Sequence, residues 1–89
     1  MQVVLTIVGK DKVGITAKVT NALAEMNINI ININQNIMQG FFNMVLIADI
    51  EGANVTLADA RQRMVQLGEE IGVEIRLQSA EIFAAMHRI

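Results

Sequence analysis

Hydrophobic and polar positions change period several times along the chain, and each change marks an element. Residues 2–8 place Val3, Leu5 and Ile7 on one side and Val4, Thr6 and Val8 on the other. A run that is largely apolar at both parities predicts a central strand buried on both faces. Gly9-Lys10-Asp11-Lys12 interrupts it as a loop. From Val13 the period becomes that of a helix, with Ile15, Val19, Ala22, Leu23 and Met26 on one face and Lys18, Asn21 and Glu25 opposite. Asn27 closes this helix, because Asn tolerates the left-handed conformation at a helix end. Residues 27–36 alternate Asn and Gln with Ile and predict a second strand. Gln39-Gly40 is the hairpin turn into a third strand, residues 41–50, again apolar on both faces.

Residues 51–54 form another loop, and a second amphipathic helix follows. Its buried stripe is Leu57, Ala60, Met64, Leu67 and Ile71. Thr56 and Asp59 have the spacing of a capping box, and Gly72 ends the helix. Val73, Ile75 and Leu77 then alternate with Glu74, Arg76 and Gln78, the pattern of an edge strand with one wet face. Ser79 can cap a short last helix, residues 80–88, with Ile82, Phe83, Met86 and Ile89 along one side.

The predicted order is β-α-β-β-α-β plus a terminal helix. This is an α+β, ferredoxin-like split βαβ pattern: a four-stranded antiparallel sheet with two helices on one face. Right-handed crossovers put the strands in the order fourth, first, third, second. The two strands apolar on both faces then fall at the centre. The chain reads as one domain, with a core of residues 1–78 and a C-terminal helix of residues 79–89.

Composition narrows the function classes. A chain of 89 residues buries only about 60–65% of its unfolded surface and has no room for separate cofactor and substrate domains. No cofactor is expected. With 53% hydrophobic and 18% charged residues the chain is not disordered. A net charge of −2 and three aromatics, Phe41, Phe42 and Phe83, leave neither a basic footprint nor a stacking platform for nucleic acid. Phe41 and Phe42 are adjacent, so only one can lie on a given face of the sheet. Without cysteine there are no disulfides, thiol nucleophiles or Cys-type zinc sites. The start Met1-Gln2-Val3-Val4 has no basic leader segment, and the longest apolar run, residues 44–48, is far short of the roughly 20 residues of a membrane span. The expectation is a cytoplasmic protein with no membrane partner.

Charge placement says more than total charge. Residues 27–48 contain no Asp, Glu, Lys or Arg. This stretch holds the whole second strand, an edge strand in the expected topology, and edges are ordinarily protected by charge or proline. Either Asn and Gln side chains keep the edge soluble, or the same strand of a second subunit covers it across a twofold axis. The second reading is favoured, because exposed uncharged edges aggregate. It places Asn29, Ile31, Ile33 and Gln35 at a homodimer interface.

Catalytic groups are sparse. The single histidine, His87, lies in the last predicted turn, where the helix dipole favours it for structural reasons. One histidine cannot build a histidine-rich metal site, and Asp11, Asp49, Glu51 and Asp59 do not form a spaced catalytic pair. An enzyme is not expected. The loop joining the first strand to the first helix is the richer feature. Free amides at a helix start attract anions, and Gly14 allows close approach to the backbone. Asp11 can cap that helix or hold a ligand amine, and Lys10 and Lys12 add positive potential. Asn29 is either one more polar edge residue or a side chain facing the subunit boundary.

Asp11-x-x-Gly14-Ile15, a helix, and then Asn27-Ile28-Asn29-Ile30 resemble the ACT domain. The tail, residues 78–86, resembles more narrowly the small stand-alone proteins made of one ACT domain and a C-terminal helix. The resemblance implies a ferredoxin-like regulatory module that senses amino acids through paired domains. It implies that Asp11 and Asn29 contact ligand across the interface, and that backbone amides near Gly14 and Ile15 take its carboxylate. Lys12, Val13 and Ile30 complete the expected ligand-binding set. This chain has Gly9 where some ligand-binding members carry a side-chain ligand, and Asn32 where some relatives are acidic.

Two functions compete. One is a sensing module that binds an amino acid or similar small carboxylate at the dimer interface and signals to an unidentified protein partner. The other is a ligand-free dimeric interaction module that docks through its C-terminal helix or open sheet face. RNA binding on the sheet is disfavoured for want of aromatics and basic surface.

Overall fold

The computed structural model describes residues 1–86. His87 and Ile89, named above, lie outside them. The strands are β1 (Gln2–Lys10), β2 (Asn29–Met38), β3 (Phe41–Asp49) and β4 (Val73–Ser79); the helices are α1 (Ile15–Glu25), α2 (Leu57–Ile71) and α3 (Ala80–Met86). The sheet order is β2-β3-β1-β4, antiparallel at every pairing, as expected from the crossover rule.

Each boundary has a local cause. Asn27 ends the α1 segment at φ 56°, and its side-chain amide donates to the Gly52 carbonyl at 2.7 Å. Gln39 and Gly40 have φ of 52° and 81°, the two left-handed residues that a tight hairpin between twisted strands requires. Thr56 Oγ1 accepts from the Asp59 amide at 3.1 Å and caps α2. Gly72 closes α2 at φ 75°. Ser79 Oγ accepts from the Ile82 amide at 3.2 Å and starts α3.

The core lies between the sheet and α1 with α2. Val3, Leu5 and Ile7, Phe42, Met44, Leu46 and Ala48, and Val73, Ile75 and Leu77 meet Ile15, Val19, Ala22, Leu23, Ala60, Met64 and Leu67 there. Both expected helical stripes are the buried ones, with Leu57 and Ile71 only partly covered.

Two expectations are corrected. β1 continues through Gly9 and Lys10, which read as loop, because a residue without a side chain fits where Val73 crosses: a Cβ at Gly9 would lie 2.7 Å from Val73 Cγ1. The central strands are not buried on both faces. Both long helices pack on one side, so the other face is open: Val8, Phe41 and Val45 are exposed. Val4 is the exception; α3 folds back on β1 and β4, and Val4 is buried.

Candidate functional site

The loop between β1 and α1 is held at two points. The Asp11 amide donates to the Gly40 carbonyl at 2.8 Å, tying it to the β2–β3 turn. Lys12 Nζ donates to the Ile71 carbonyl at 3.2 Å, at the C-terminus of α2, where a cation complements the helix dipole. The Lys12 ammonium is thereby committed to α2, and its stem holds the loop in place. In this loop the Asp11 side chain is exposed and Val13 is fully exposed.

Asp11 does not cap α1. The N-cap is Gly14, left-handed at φ 89°, with no side-chain bond to the first turn and no acid within it. The first helical bond runs from the Lys18 amide to the Gly14 carbonyl at 3.0 Å. The amides of Ile15, Thr16 and Ala17 precede it, so the helix starts uncapped, its N-cap Gly14 three residues after the exposed Asp11. A Cβ at Gly14 would meet nothing within 4 Å, so the residue is there for its conformation.

Asn29 sits at the other end of the molecule. It pairs with Asp49, which also pairs with Gln2 of β1. Asn29 and Asp49, together with Ala24, Asn27, Ile28 and Gly52, line a shallow depression of about 390 Å³. Asp49 Oδ1 accepts from the Glu51 amide at 2.9 Å and faces the Met1 ammonium at 3.4 Å. The Glu51 bond chiefly, opposed by desolvation and helped by the Met1 ammonium, holds the Asp49 carboxyl below the usual carboxylate range. In the sequence Asp49 stands as one of several scattered acids. The signal for its turn was present in Asp49-Ile50-Glu51-Gly52, since Asp side chains bond backbone two residues on.

The ten residues of β2 span about 30 Å at 3.3 Å per residue, and they separate the two halves of the candidate site. One chain alone does not bring Asp11 and Asn29 together. A bulge interrupts β2: the register with β3 slips between Ile30 and Asn32, and Ile31 has no opposite residue. Asn29 therefore shares the open face with Asp49, Asn32 pairs with Ile47 on that same face, and Ile33 and Gln35 pair with core residues Leu46 and Met44 on the helix face. Gln35 Oε1 accepts from Thr16 Oγ1 at 3.2 Å, linking β2 to the first turn of α1. Every residue from Ile31 to Met38 is exposed. The other sheet edge is covered differently: Arg61 Nε of α2 donates to the Leu77 carbonyl of β4 at 3.0 Å, and Glu74 pairs with Arg76 at 3.1 Å.

Among the described residues no helix is long and apolar enough to cross a membrane, and no three His, Cys, Asp or Glu side chains gather as metal ligands.

The βαββαβ fold, with a loop of the form Asp-x-x-Gly-Ile at the start of its first helix, is that of a small ferredoxin-like domain. The ACT domain profile matches residues 3–63, and the chain belongs to the ACT domain family, whose members are regulatory modules that bind small molecules. Its whole-length relatives include a UPF0237 protein of Listeria innocua, 45% identical over 89 residues and covering 100% of both chains. Among solved structures, an ACT domain protein from Streptococcus pneumoniae matches 100% of this chain and 97% of its own with a TM-score of 0.81 at 30% identity. The regulatory subunit of aspartate kinase from Thermus thermophilus, in ligand-free form, matches 86% of this chain and 50% of its own with a TM-score of 0.67 at 28% identity.

Proposed function

We propose that the protein is a stand-alone sensing module that works as a homodimer through β2, binding an amino acid or similar small carboxylate where the subunits meet. The observation that carries this reading is the separation of Asp11 and Asn29 to opposite ends of one chain. Antiparallel pairing of β2 with a second copy reverses the ends. It sets the Asp11 loop of one subunit beside Asn29 and Ile30 of the partner subunit. The uncapped amides at Gly14 and Ile15 then receive the carboxylate, and Asp11 the ammonium. Val13 closes over the ligand, while Lys12 keeps the loop in position. The site binds and does not transform its ligand, and it needs no cofactor. A cytoplasmic protein partner reads the change, which requires that the ligand bind two states of the dimer unequally.

The test is thermal unfolding against a panel of amino acids and small carboxylates. Ligand at 100 times its dissociation constant adds about 2.7 kcal/mol, a shift of several degrees for a domain this small. The expected result is a shift that both Asp11→Ala and Asn29→Ala abolish. A panel without a shift overturns sensing and favours the ligand-free interaction module. The observation behind that second reading is Ile82, which is 52% exposed on α3.

A further inference from the structure

Resting on the β2 homodimer proposed above, we infer that the two copies pair about a twofold axis through Gln35, in a register set by the Ile31 bulge and a palindrome in the strand.

Residues of two identical antiparallel strands pair as equal distances on either side of one centre. Opposite residues must also point to the same face of the sheet, so the centre falls on a residue and not between two. Below the bulge, β2 pairs regularly with β3 from Asn32 to Met38. The middle of that run is Gln35. Around it the sequence reads Ile33-Asn34-Gln35-Asn36-Ile37, the same in both directions.

A centre at Gln35 sets Ile33 opposite Ile37 of the partner subunit on the helix face, and the reciprocal pair forms with it. Asn34 faces Asn36 of the partner subunit on the open face, and Asn32 faces the partner's Met38. All seven regular residues are used. The apolar pairs cover two side chains that one chain leaves 40% and 52% exposed. The amide pairs provide donors and acceptors on both sides. Cross-strand pairs of β-branched residues and of hydrogen-bonding side chains are the ones that stabilise a ladder. A centre at Asn34 instead sets Ile33 against Gln35 and Ile37 against the bulged Ile31. A centre at Asn36 sets Gln35 against Ile37 and shortens the ladder. A centre at Ile33 sets Gln35 against Ile31.

The bulge gives this register its second consequence. Because Ile31 is an extra residue, the partner's Asn29 falls just beyond Met38, at the level of the Gln39-Gly40 turn. Gly40 is the residue whose carbonyl holds the Asp11 amide at 2.8 Å. The register that matches the palindrome is therefore the one that completes the proposed ligand site at both ends of β2.

The chain has no cysteine, so single cysteines report pairing without background. Under mild oxidation Gln35→Cys should cross-link to itself. Residues directly opposite lie within the Cα separation a disulfide spans, and diagonal ones, at roughly 7–8 Å, do not. Asn34→Cys and Asn36→Cys should each cross-link poorly alone and well when mixed. All three positions are exposed, and circular dichroism is the check that each variant folds. Preferential self-linking of Asn34→Cys or Ile33→Cys in a dimeric protein overturns the register and leaves the β2 dimer standing. A dimer by analytical ultracentrifugation without cross-links at any of these positions overturns both pairing and register. A monomer at all concentrations overturns the dimer itself.

Discussion

Glycine serves two different purposes in this chain, and substitution separates them. At Gly14 the need is conformational: φ is 89° and the space around a Cβ is empty. At Gly9 the need is steric. The residue sits in β1 opposite Val73, where a Cβ would lie 2.7 Å from Val73 Cγ1 and 3.1 Å from its Cα. Gly14→Ala is expected to cost about 1 kcal/mol from the left-handed backbone. Gly9→Ala is expected to cost about 1–3 kcal/mol, because β1 and β4 must part over a buried valine. Denaturant unfolding checks both, and Val73→Ala should recover part of the Gly9→Ala loss while leaving Gly14→Ala unchanged. Equal costs with no recovery would mean that the close approach to Val73 is not what Gly9 serves. The same crowding leaves no room for a side chain at position 9 on that face while Val73 stands there.

The elements differ in how openly the sequence announces them. The stripes of α1 and α2, the Thr56 cap, the Gly72 stop and the Gln39-Gly40 turn were legible because each is a local rule. Strand order followed from the handedness of the crossovers. The Ile31 bulge was not legible, since Asn29-Ile30-Ile31-Asn32 offers β3 two isoleucines and only the register shows which one is extra. Asn29, Ile31, Ile33 and Gln35, spaced at period two, therefore do not share one face: Asn29 lies on the open face, Ile33 and Gln35 on the helix face. Contacts such as Asp11 to Gly40, Lys12 to Ile71 and Thr16 to Gln35 join distant elements and have no local signature. α3 is the element with most at stake on the open face, where it leaves Val4 only 5% exposed. Deleting residues 80–89 should uncover Val4 and lower stability by about 1.5–3 kcal/mol, the worth of one buried valine. The unfolding midpoint in urea measures it. An unchanged midpoint would show that α3 contributes no packing and serves docking alone.

For the whole molecule, the decisive asymmetry is between its two sheet edges. β4 has Arg61 bonded to one of its carbonyls and a charged pair at its surface, whereas β2 presents ten residues without a charge. If β2 is closed by a second copy, unfolding is coupled to dissociation, and the melting midpoint must depend on protein concentration. A tenfold increase is worth about 1.4 kcal/mol per dimer. A folded unit of twice this chain's length shifts by roughly 2–4 °C per kcal/mol, so the midpoint should rise by roughly 3–6 °C per tenfold concentration. Gln35→Lys places two like charges against each other at the proposed axis and gives the edge the protection it lacks. That variant should remain folded, melt at a midpoint independent of concentration, and lose the ligand-induced shift, because neither Asp11 loop would then meet the Asn29 it needs. A wild-type midpoint constant from micromolar to hundreds of micromolar would remove the dimer from the mechanism. A Gln35→Lys protein that is monomeric and still stabilised by ligand would keep the dimer but place the ligand site within one chain.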